Sequence, residues 1–212
     1  HGYDVTDYYA VNPEYGTADD FRALITAAHA RGIAVIIDLV INHTSREHPW
    51  FISARGAGPR SPYYDYYVWA DTPTGGGWHA HGDRYYYGYF GPHMPDLNYT
   101  NPDVTAAMYD IAAFWLDDMG VDGFRLDAAK YIIESRGQIE NTDETLAWLA
   151  DFKAHVHAVR PDALVLGEVW SPSSVVARYI PDSLDLAFEF DLAEGFVAGA
   201  RSGSAAALDV QM

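Results

Sequence analysis

The sequence lacks cysteine, so neither a disulfide nor thiol chemistry is open to it, and this absence leaves the cellular compartment undecided. It also lacks any apolar run of about 18 residues, so no membrane-spanning helix is predicted. Positive charge is scarce, because 13 Lys and Arg face 30 Asp and Glu and give a net charge of −17. Such a chain repels phosphate backbones, which argues against nucleic acid as a partner.

The composition that is present suits a sizeable folded unit. The 212 residues are 49% hydrophobic, which is enough for one large domain or for one domain with a small insertion. Sixteen Tyr and six Trp offer flat apolar faces with polar tips, which suit sugars but also fill cores. The first residues form neither a signal peptide nor a starting methionine, so we expect an incomplete chain. An acidic, cysteine-free chain is compatible with secretion, which favours an extracellular or periplasmic location.

Helical and strand patterns alternate along most of the chain. Apolar residues at helical spacing, each run followed closely by a buried strand pattern, occur three times, and a fourth strand pattern follows over 184–190. This alternation predicts an α/β fold with a parallel sheet. The predicted helices cover about 17–31, 101–119 and 144–160, the strands after them begin near 33, 121 and 163, and 193–211 reads as a small-residue helix or a frayed end.

The alternation of helical and strand patterns stops between residues 45 and 100. This stretch contains six prolines, a run of three glycines at 75–77 and two Tyr-rich segments. A structureless loop of more than about 15 residues is uncommon inside a compact domain. We therefore expect an irregular inserted subdomain with short strands.

Polar side chains stand where the predicted strands end. His43, Asp127 and Glu168 each fall at such an end, and in barrels of this class the chemistry lies at the carboxyl ends of the strands. Two carboxylates there indicate acid/base or nucleophilic catalysis. Arg125 shares a strand face with Asp127 and would lower the pKa of that carboxyl. A buried Arg–Asp ion pair without catalytic function is the alternative.

Other polar residues have plain structural interpretations. His43 and Asn42 could cap a loop, and Asp38 lies in mid-strand, where it could pair with Arg125. His79 and His81 have a metal-like spacing, but only Asp83 is near as a further ligand and there is no cysteine. Zinc is therefore disfavoured.

Three segments resemble successive signatures of the α-amylase family of glycoside hydrolases, in that family's order: Asp38-Leu39-Val40-Ile41-Asn42-His43, Gly123-Phe124-Arg125-Leu126-Asp127 and Gly167-Glu168-Val169-Trp170. Residues 1–4 resemble the family's loop after the second barrel strand, and residues 94–98 resemble its segment near the end of an inserted domain called domain B. Together these segments reach across nearly the whole chain.

The resemblance implies a partial (β/α)8 TIM barrel, with about strands three to six present and an irregular domain B inserted. The barrel parts would be 1–42 and 101–212, and domain B would be 43–100. Asp127 would be the nucleophile and Glu168 the general acid/base. The implied sugar contacts are Tyr3, His43 and Arg125, with Lys130 and Tyr131 beside the leaving group; Asn42 and Asp96 match positions that bind calcium in many members. No organic cofactor is implied.

Within the family, residues 44–45, 48–51 and 94–98 resemble enzymes intermediate between oligo-1,6-glucosidases and neopullulanases. Ala128 resembles members that act on α-1,4 bonds, whereas α-1,6-specific members tend to carry Val there. The expected function is a retaining glycoside hydrolase that cleaves α-1,4-glucosidic bonds in starch-derived maltodextrins through a glucosyl-enzyme intermediate. An α-glucosidase, a transglycosylase such as a trehalose synthase, and a non-catalytic glycan-binding protein are the alternatives. The expected partner is the α-glucan itself, and the oligomeric state is left open.

One part of the family pattern has no match. The third essential carboxylate, an Asp in an Asn-His-Asp context after the seventh strand, is absent, as are the first two strands. Half a barrel leaves sheet edges and apolar faces uncovered. We therefore expect residues 1–212 alone to be inactive.

Overall fold

The computed structural model describes residues 2–204. Within them the strands are β1 (Ile37–Val40), β2 (Trp69–Ala70), β3 (Trp78–His81), β4 (Arg84–Tyr87), β5 (Gly123–Asp127), β6 (Leu164–Gly167) and β7 (Leu186–Ala187). The helices are α1 (Ala18–His29), α2 (Pro49–Ala57), α3 (Pro102–Ala113), α4 (Asp143–Val159), α5 (Ser173–Val176) and α6 (Phe190–Ser202). The predicted helix or frayed end over 193–211 begins inside α6, and its last residues lie outside the described part.

A parallel sheet positions the polar strand ends. Its strand order is β1-β5-β6-β7, and all three neighbouring pairs run parallel. The register places Asp38 beside Arg125 and Val40 beside Asp127. Parallel strands present all their carboxyl ends at one edge, so residues that follow different strands meet there. The predicted α/β class with a parallel sheet is confirmed.

Local signals fix the helix ends close to the predicted positions. Thr17 caps α1 in a reciprocal capping box with Asp20, and Asn101 caps α3 just before Pro102. Thr142 caps α4 by accepting from the backbone of Thr145. A wider helical turn over 114–118 continues α3, so the predicted helix over 101–119 is not regular throughout.

The first strand is shorter than its apolar run predicts. Only Ile37–Val40 pairs in the ladder, although the run begins at residue 33. The backbone N–H of Val35 donates to the Asp122 carboxylate at 2.7 Å instead of to a neighbouring strand. A side chain of the next repeat thus takes over the hydrogen bond that a longer strand would make.

Close backbone contact joins β5 to β6. Gly123 has φ of +147°, and a side chain there would bring its Cβ within 2.2 Å of the Leu164 carbonyl oxygen. Only glycine fits this approach without moving one strand.

The stretch between β1 and α3 contains α2 and an antiparallel sheet of order β2-β4-β3. Phe51 packs edge-on against Tyr67 and Tyr86, with ring centroids 4.9 Å apart in both pairs, and stacks on Trp69. The tyrosine-rich segments therefore supply the core of this region, which is the plainer of the two interpretations of its aromatic residues. The three-part division of the chain at 43 and 100 stays a prediction.

One hydrophobic core lies between the parallel sheet and the helices. Its fully buried members from β5, β6, α3 and α4 include Phe124, Leu126, Val165, Met108, Ile111, Leu149 and Phe152. Among the described residues, no helix has the length and apolar character needed to cross a membrane.

Candidate active site

Strand β5 places two charged residues on one face. Phe124 and Leu126 are fully buried, whereas Arg125 and Asp127 point to the opposite, polar side. The alternation predicted from the sequence is confirmed. Arg125 Nη1 donates to Asp127 Oδ1 at 2.7 Å, and the side chains of Arg125 and Asp127 are 15% and 13% exposed. Their ion pair is thus largely shielded from water.

The Arg125 guanidinium holds three carboxylates at once. Besides Asp127, its Nη1 contacts Asp38 at 2.7 and 2.8 Å, and its Nη2 contacts Glu168 Oε2 at 2.7 Å. The partnership with Asp38 is the one that the sequence suggested. Because one small planar group joins Asp127 to Glu168, their bound oxygens lie within about 8 Å of each other. This upper limit covers the separation of about 5–5.5 Å of retaining glycosidases and also the shorter separations, from about 6.5 Å, of inverting ones.

Strand pairing explains why Glu168 meets this group. Glu168 follows β6 directly, and its backbone N–H donates to the Leu126 carbonyl at 2.9 Å. This bond extends the pairing of β5 with β6 by one residue beyond the ladder. Two acids 41 positions apart in sequence therefore lie side by side at the carboxyl ends of neighbouring strands.

The electrostatics of Asp127 differ from the prediction. Burial raises the pKa of this carboxyl, the Arg125 charge opposes that rise, and Asp38 and Glu168 add to it. The net direction is upward, so the predicted lowering is wrong, because three acids share one cation in a partly dry site. Burial alone would lower the pKa of Arg125, but Asp38 and the other two carboxylates raise it well above its ordinary value. The guanidinium therefore stays charged.

His43 is a buried, neutral ring that bonds to the backbone of Tyr3. Its Nε2 lies 2.9 Å from the Tyr3 carbonyl oxygen, which can only accept, so Nε2 carries the proton; Nδ1 lies 3.3 Å from the Asn42 amide nitrogen. Burial lowers the pKa of His43 to about 4. Both ring nitrogens bond to the chain itself, which fits the loop-fixing role that the sequence left open. The contact with sugar stays a prediction.

Tyr3 covers the charged cluster from the first loop. Its ring centroid lies 5.7 Å from Arg125 Cζ, in the geometry of a cation–π contact. The Asp38 carboxylate first, and then burial, raise the pKa of the Tyr3 hydroxyl. The structure thus brings Tyr3 together with Arg125, Asp38 and Asp127.

A cleft of about 390 Å³ opens beside the two acids. Lys130 lines it and is fixed by two contacts of Nζ, with the Trp170 carbonyl at 2.7 Å and with Glu140 at 2.8 Å. Tyr131 lines it as well, with its ring centroid 5.0 Å from that ammonium. The lining residues are Phe90, Asp127, Ala128, Lys130, Tyr131, Glu168 and Trp170.

Two of these residues were missed by the sequence analysis. Trp170 is 63% exposed, and its indole stacks on Phe190 with centroids 5.0 Å apart. Its position just beyond Glu168 at a strand end was a usable signal. Phe90 reaches the cleft from the inserted stretch and packs against His43 with centroids 5.3 Å apart. No local pattern marks Phe90, because its place depends on how the insertion folds back over the sheet.

The residue after Asp127 has an unusual backbone. Ala128 adopts φ of +52°, in the left-handed region, and is almost fully buried. For a residue with a side chain this conformation costs about 1–2 kcal/mol. Such strain is commonly stored at functional sites.

Asn42 and Asp96 meet where the insertion returns to the sheet. Asp96 is 7% exposed and accepts hydrogen bonds from the Tyr89 N–H, at 3.2 Å, and from Asn42. Burial raises the pKa of this carboxyl to about 8. Amide and carboxylate oxygens are the donors that calcium prefers, although it takes about 6–8 of them. In the described part of the chain no third acidic or histidine side chain completes a metal cluster, so backbone oxygens or water would supply the rest.

The two histidines with metal-like spacing are held by backbone carbonyls. His79 Nε2 donates to Gly88 at 2.9 Å, and His81 Nε2 donates to Arg55 at 3.0 Å. Both rings therefore help to fix the β3 strand to its surroundings, in line with the disfavoured zinc interpretation.

Comparison with known proteins agrees with this arrangement. The family model described as "Alpha amylase, catalytic domain" matches residues 1–210. The chain belongs to this alpha-amylase family. Alpha-amylase 3 of Dictyoglomus thermophilum is 43% identical over 197 residues, which cover 92% of this chain and 38% of that protein. Trehalose synthase of Pimelobacter sp. is 44% identical over 199 residues, which cover 85% of this chain and 34% of that protein.

Solved amylase-family structures have the same fold. The alpha-amylase from H. orenii superimposes with a TM-score of 0.86 at 47% identity, over 96% of this chain and 42% of that one. The chain thus spans less than half the length of these relatives. The predicted family and the predicted match to part of an amylase-type barrel are confirmed.

Proposed function

We propose that the site is the catalytic centre of a retaining glycoside hydrolase that cleaves α-1,4-glucosidic bonds in maltodextrins. The observation that carries this proposal is the single Arg125 guanidinium bonded to both Asp127 and Glu168 at the wall of an open cleft. It keeps two acids adjacent yet distinct in environment, as nucleophile and acid/base catalysis require.

The two acids divide the reaction between them. An Asp127 carboxylate oxygen attacks the anomeric carbon while the bond to the leaving sugar breaks, and Glu168 gives its proton to the departing oxygen. Glu168 then takes a proton from water, whose oxygen attacks the same carbon and releases Asp127. Glu168 accepts from Arg125 through Oε2, so Oε1 can carry the proton, and the side chain lines the open cleft.

Charge in the site favours the transition state. With Glu168 protonated, the carboxylates of Asp38 and Asp127 around one guanidinium still leave a surplus of negative charge where positive charge develops on the sugar ring. Fixed charges of this kind stabilise a transition state more than a neutral ground state. Preference for α-1,4 bonds rests on Ala128, by the resemblance stated above.

A second candidate function is transfer to another sugar instead of to water. Relatives of similar identity include the trehalose synthase of Pimelobacter sp. and a 4-alpha-glucanotransferase of Thermotoga neapolitana. The same two acids serve both outcomes, since only the acceptor of the glycosyl-enzyme differs. An α-glucosidase would differ in chain-length preference, and a non-catalytic glycan-binding protein would bind without turnover.

The assignment of the nucleophile is tested with Asp127→Asn in the full-length protein. We expect kcat/KM on maltohexaose to fall by at least about 10⁴-fold, because an amide cannot form the glycosyl-enzyme. Asp162→Asn, at an exposed carboxylate in the turn before β6, is the matched control and should retain activity. Turnover that survives Asp127→Asn would rule out this assignment.

Products decide between the two candidate functions. Proton NMR of the reaction with maltohexaose should show the α-anomer of the released sugar first, as retention requires. With maltose as substrate, glucose as the sole product would support hydrolysis, whereas trehalose, or glucose together with maltotriose, would support the transferase. First appearance of the β-anomer would contradict both.

We also propose that Asn42 and Asp96 hold calcium, which would pin the inserted stretch to the sheet. Bound calcium would offset the cost of an ionised, buried Asp96. Added calcium should raise the Tm of the full-length protein relative to EDTA, and Asp96→Asn should remove most of that increase. Asp65→Asn, at an exposed carboxylate of the insertion, should leave the increase intact. An identical Tm with calcium and with EDTA would refute the site.

A further inference from the structure

A second cavity, of about 490 Å³, lies between the antiparallel sheet and the loop that follows β5. We call it the seam cavity. Trp78 and Tyr87 form its wall on the sheet side, and Tyr131 and Glu134 form the opposite wall. Asn98 and Thr100 line it from the segment that leads into α3. The volume is in the range of small-molecule sites.

The aromatic wall includes an indole on which, among the described residues, no other ring stacks. Trp69 is sandwiched between Tyr64 and Phe51, with nearly parallel rings at 5.0 and 5.9 Å, so it belongs to the framework. Trp78 instead meets Tyr87 edge-on, with centroids 5.2 Å apart and planes at 61°. A half-buried indole held by its edge can receive the apolar face of a flat ligand.

Three acidic side chains line the seam cavity and offer acceptors to a ligand, those of Asp65, Asp96 and Glu134. Glu134 accepts from the Tyr87 hydroxyl, and the exposed carboxylate of Asp65 lines the cavity as well. The one guanidinium in the lining belongs to Arg84, which is already paired with Asp71 at 2.9 Å and with the Tyr64 hydroxyl. Such a lining suits a neutral ligand rich in hydroxyl donors and repels phosphate.

The seam cavity adjoins the catalytic cleft. Tyr131 lines both, so the two spaces share one wall. We propose that the seam cavity is a second, non-catalytic binding site for a glucose oligomer, with Trp78 stacking on a sugar ring. The identity of the ligand rests on the proposed function, because a glucan is the neutral polyol that the adjacent cleft would take.

The test counts binding sites by isothermal titration calorimetry with maltotriose. The full-length protein carries Asp127→Asn to prevent turnover, and we expect two sites per chain. Adding Trp78→Ala should abolish one of them or weaken it at least tenfold. Thr100→Trp should do the same by filling the rim without removing the platform. Tyr85→Ala, on β4 but outside the cavity lining, should leave two sites.

Each outcome decides the proposal. The proposal would be overturned if both Trp78→Ala and Thr100→Trp kept two unaltered sites, or if every variant showed only one site. Inorganic phosphate that competes with maltotriose for the site would also overturn it. Circular dichroism confirms folding, and Thr100→Trp keeps the test valid if Trp78→Ala unfolds. Turnover by the unsubstituted protein is measured in parallel. Absent turnover with a Trp78-dependent site would reject only the proposed function, and turnover without such a site would reject only this inference.

Discussion

Arg125 is the residue on which the other charged groups of the site depend. It forms ion pairs with Asp38, Asp127 and Glu168, each at 2.7 Å, from a side chain that is 15% exposed. Without it, three carboxylates would face one another in a partly buried space, and their repulsion would raise their proton affinity.

Arg125→Met should shift the pH dependence of the reaction. The proposed nucleophile, Asp127, must be ionised to attack, and the Arg125 charge holds the pKa of Asp127 below the value that burial alone would give. Removing that charge raises the pKa further, so the acidic limb of the kcat/KM profile should move to higher pH. A profile of kcat/KM against pH on maltohexaose measures this.

Arg125→Lys is the matched variant for that measurement. It keeps the charge but loses the planar fork, so the limb should shift less while kcat still falls. An acidic limb that is unmoved in Arg125→Met would contradict the electrostatic role given to Arg125.

For single residues, the sequence predicts where a side chain lies better than it predicts the direction in which its pKa shifts. Period-two alternation was enough to place Arg125 and Asp127 on the polar face, and the ends of the strand patterns located Glu168. The pKa direction of Asp127 was wrong, because it depends on burial and on Glu168, which lies on another strand. The buried hydrogen bonds of His43 were likewise invisible, since one partner is the backbone of a distant loop residue.

Among the elements, one arrangement occurs twice on the edge of the sheet opposite the site. The Asp122 carboxylate, just before β5, accepts from the Val35 N–H at 2.7 Å and pairs with His29 at 2.7 Å. Two strands further along the sheet, Asp185, just before β7, accepts from the Val165 N–H at 2.8 Å and contacts His157 at 3.1 Å. Each time, the carboxylate before one strand of the parallel sheet accepts from the backbone at the start of the neighbouring strand. It also contacts a histidine of the helix that precedes that neighbouring strand.

Asp122→Asn should weaken the protein in a pH-dependent way. Burial would raise the pKa of Asp122, but the Val35 N–H and His29 outweigh it and the net shift is downward. A lowered folded-state pKa gives stability that is present above about 3.9 and is lost as pH falls through the folded value. The variant should therefore lose about 1 kcal/mol near pH 6, and the difference should shrink below pH of about 4.

Urea unfolding midpoints across that pH range give the measurement. Asp162→Asn, at an exposed acid next to β6, is the control and should show no such difference. A stability loss for Asp122→Asn that stays constant down to the acid range would contradict the linkage.

Element types were predictable where contacts are local, and not where they are distant. Caps and apolar spacing located α1, α3 and α4 within a few residues. The β2-β4-β3 sheet pairs residues of the insertion by aromatic packing that no short pattern specifies. The shortening of β1 has the same origin, because Asp122, 87 positions away, takes the Val35 N–H.

For the whole molecule, the two outer strands of the parallel sheet matter most. Among the described strands, β1 and β7 each have one neighbour, so one side of each carries unpaired backbone groups. Large apolar side chains stand exposed on and after β7, including Leu186 at 54% and Phe196 at 58%.

We therefore expect residues 1–212 on their own to self-associate. Unpaired strand edges beside exposed apolar groups favour pairing between copies. Analytical ultracentrifugation of the isolated chain should show oligomers that grow with concentration, and Leu186→Lys should reduce them. Tyr15→Lys, at an exposed aromatic residue far from β7, is the control. A monomer at all concentrations would contradict this expectation.

The shared guanidinium described above has a practical consequence for tests of the proposed activity. A small protonated amine carries the charge opposite to the unbalanced negative charge around Arg125, so buffer cations of this type would compete with substrate. The same negative charge would repel sugars that carry sulfate or carboxylate groups. Kinetic constants measured in amine-free buffers would then be the ones that describe the site itself.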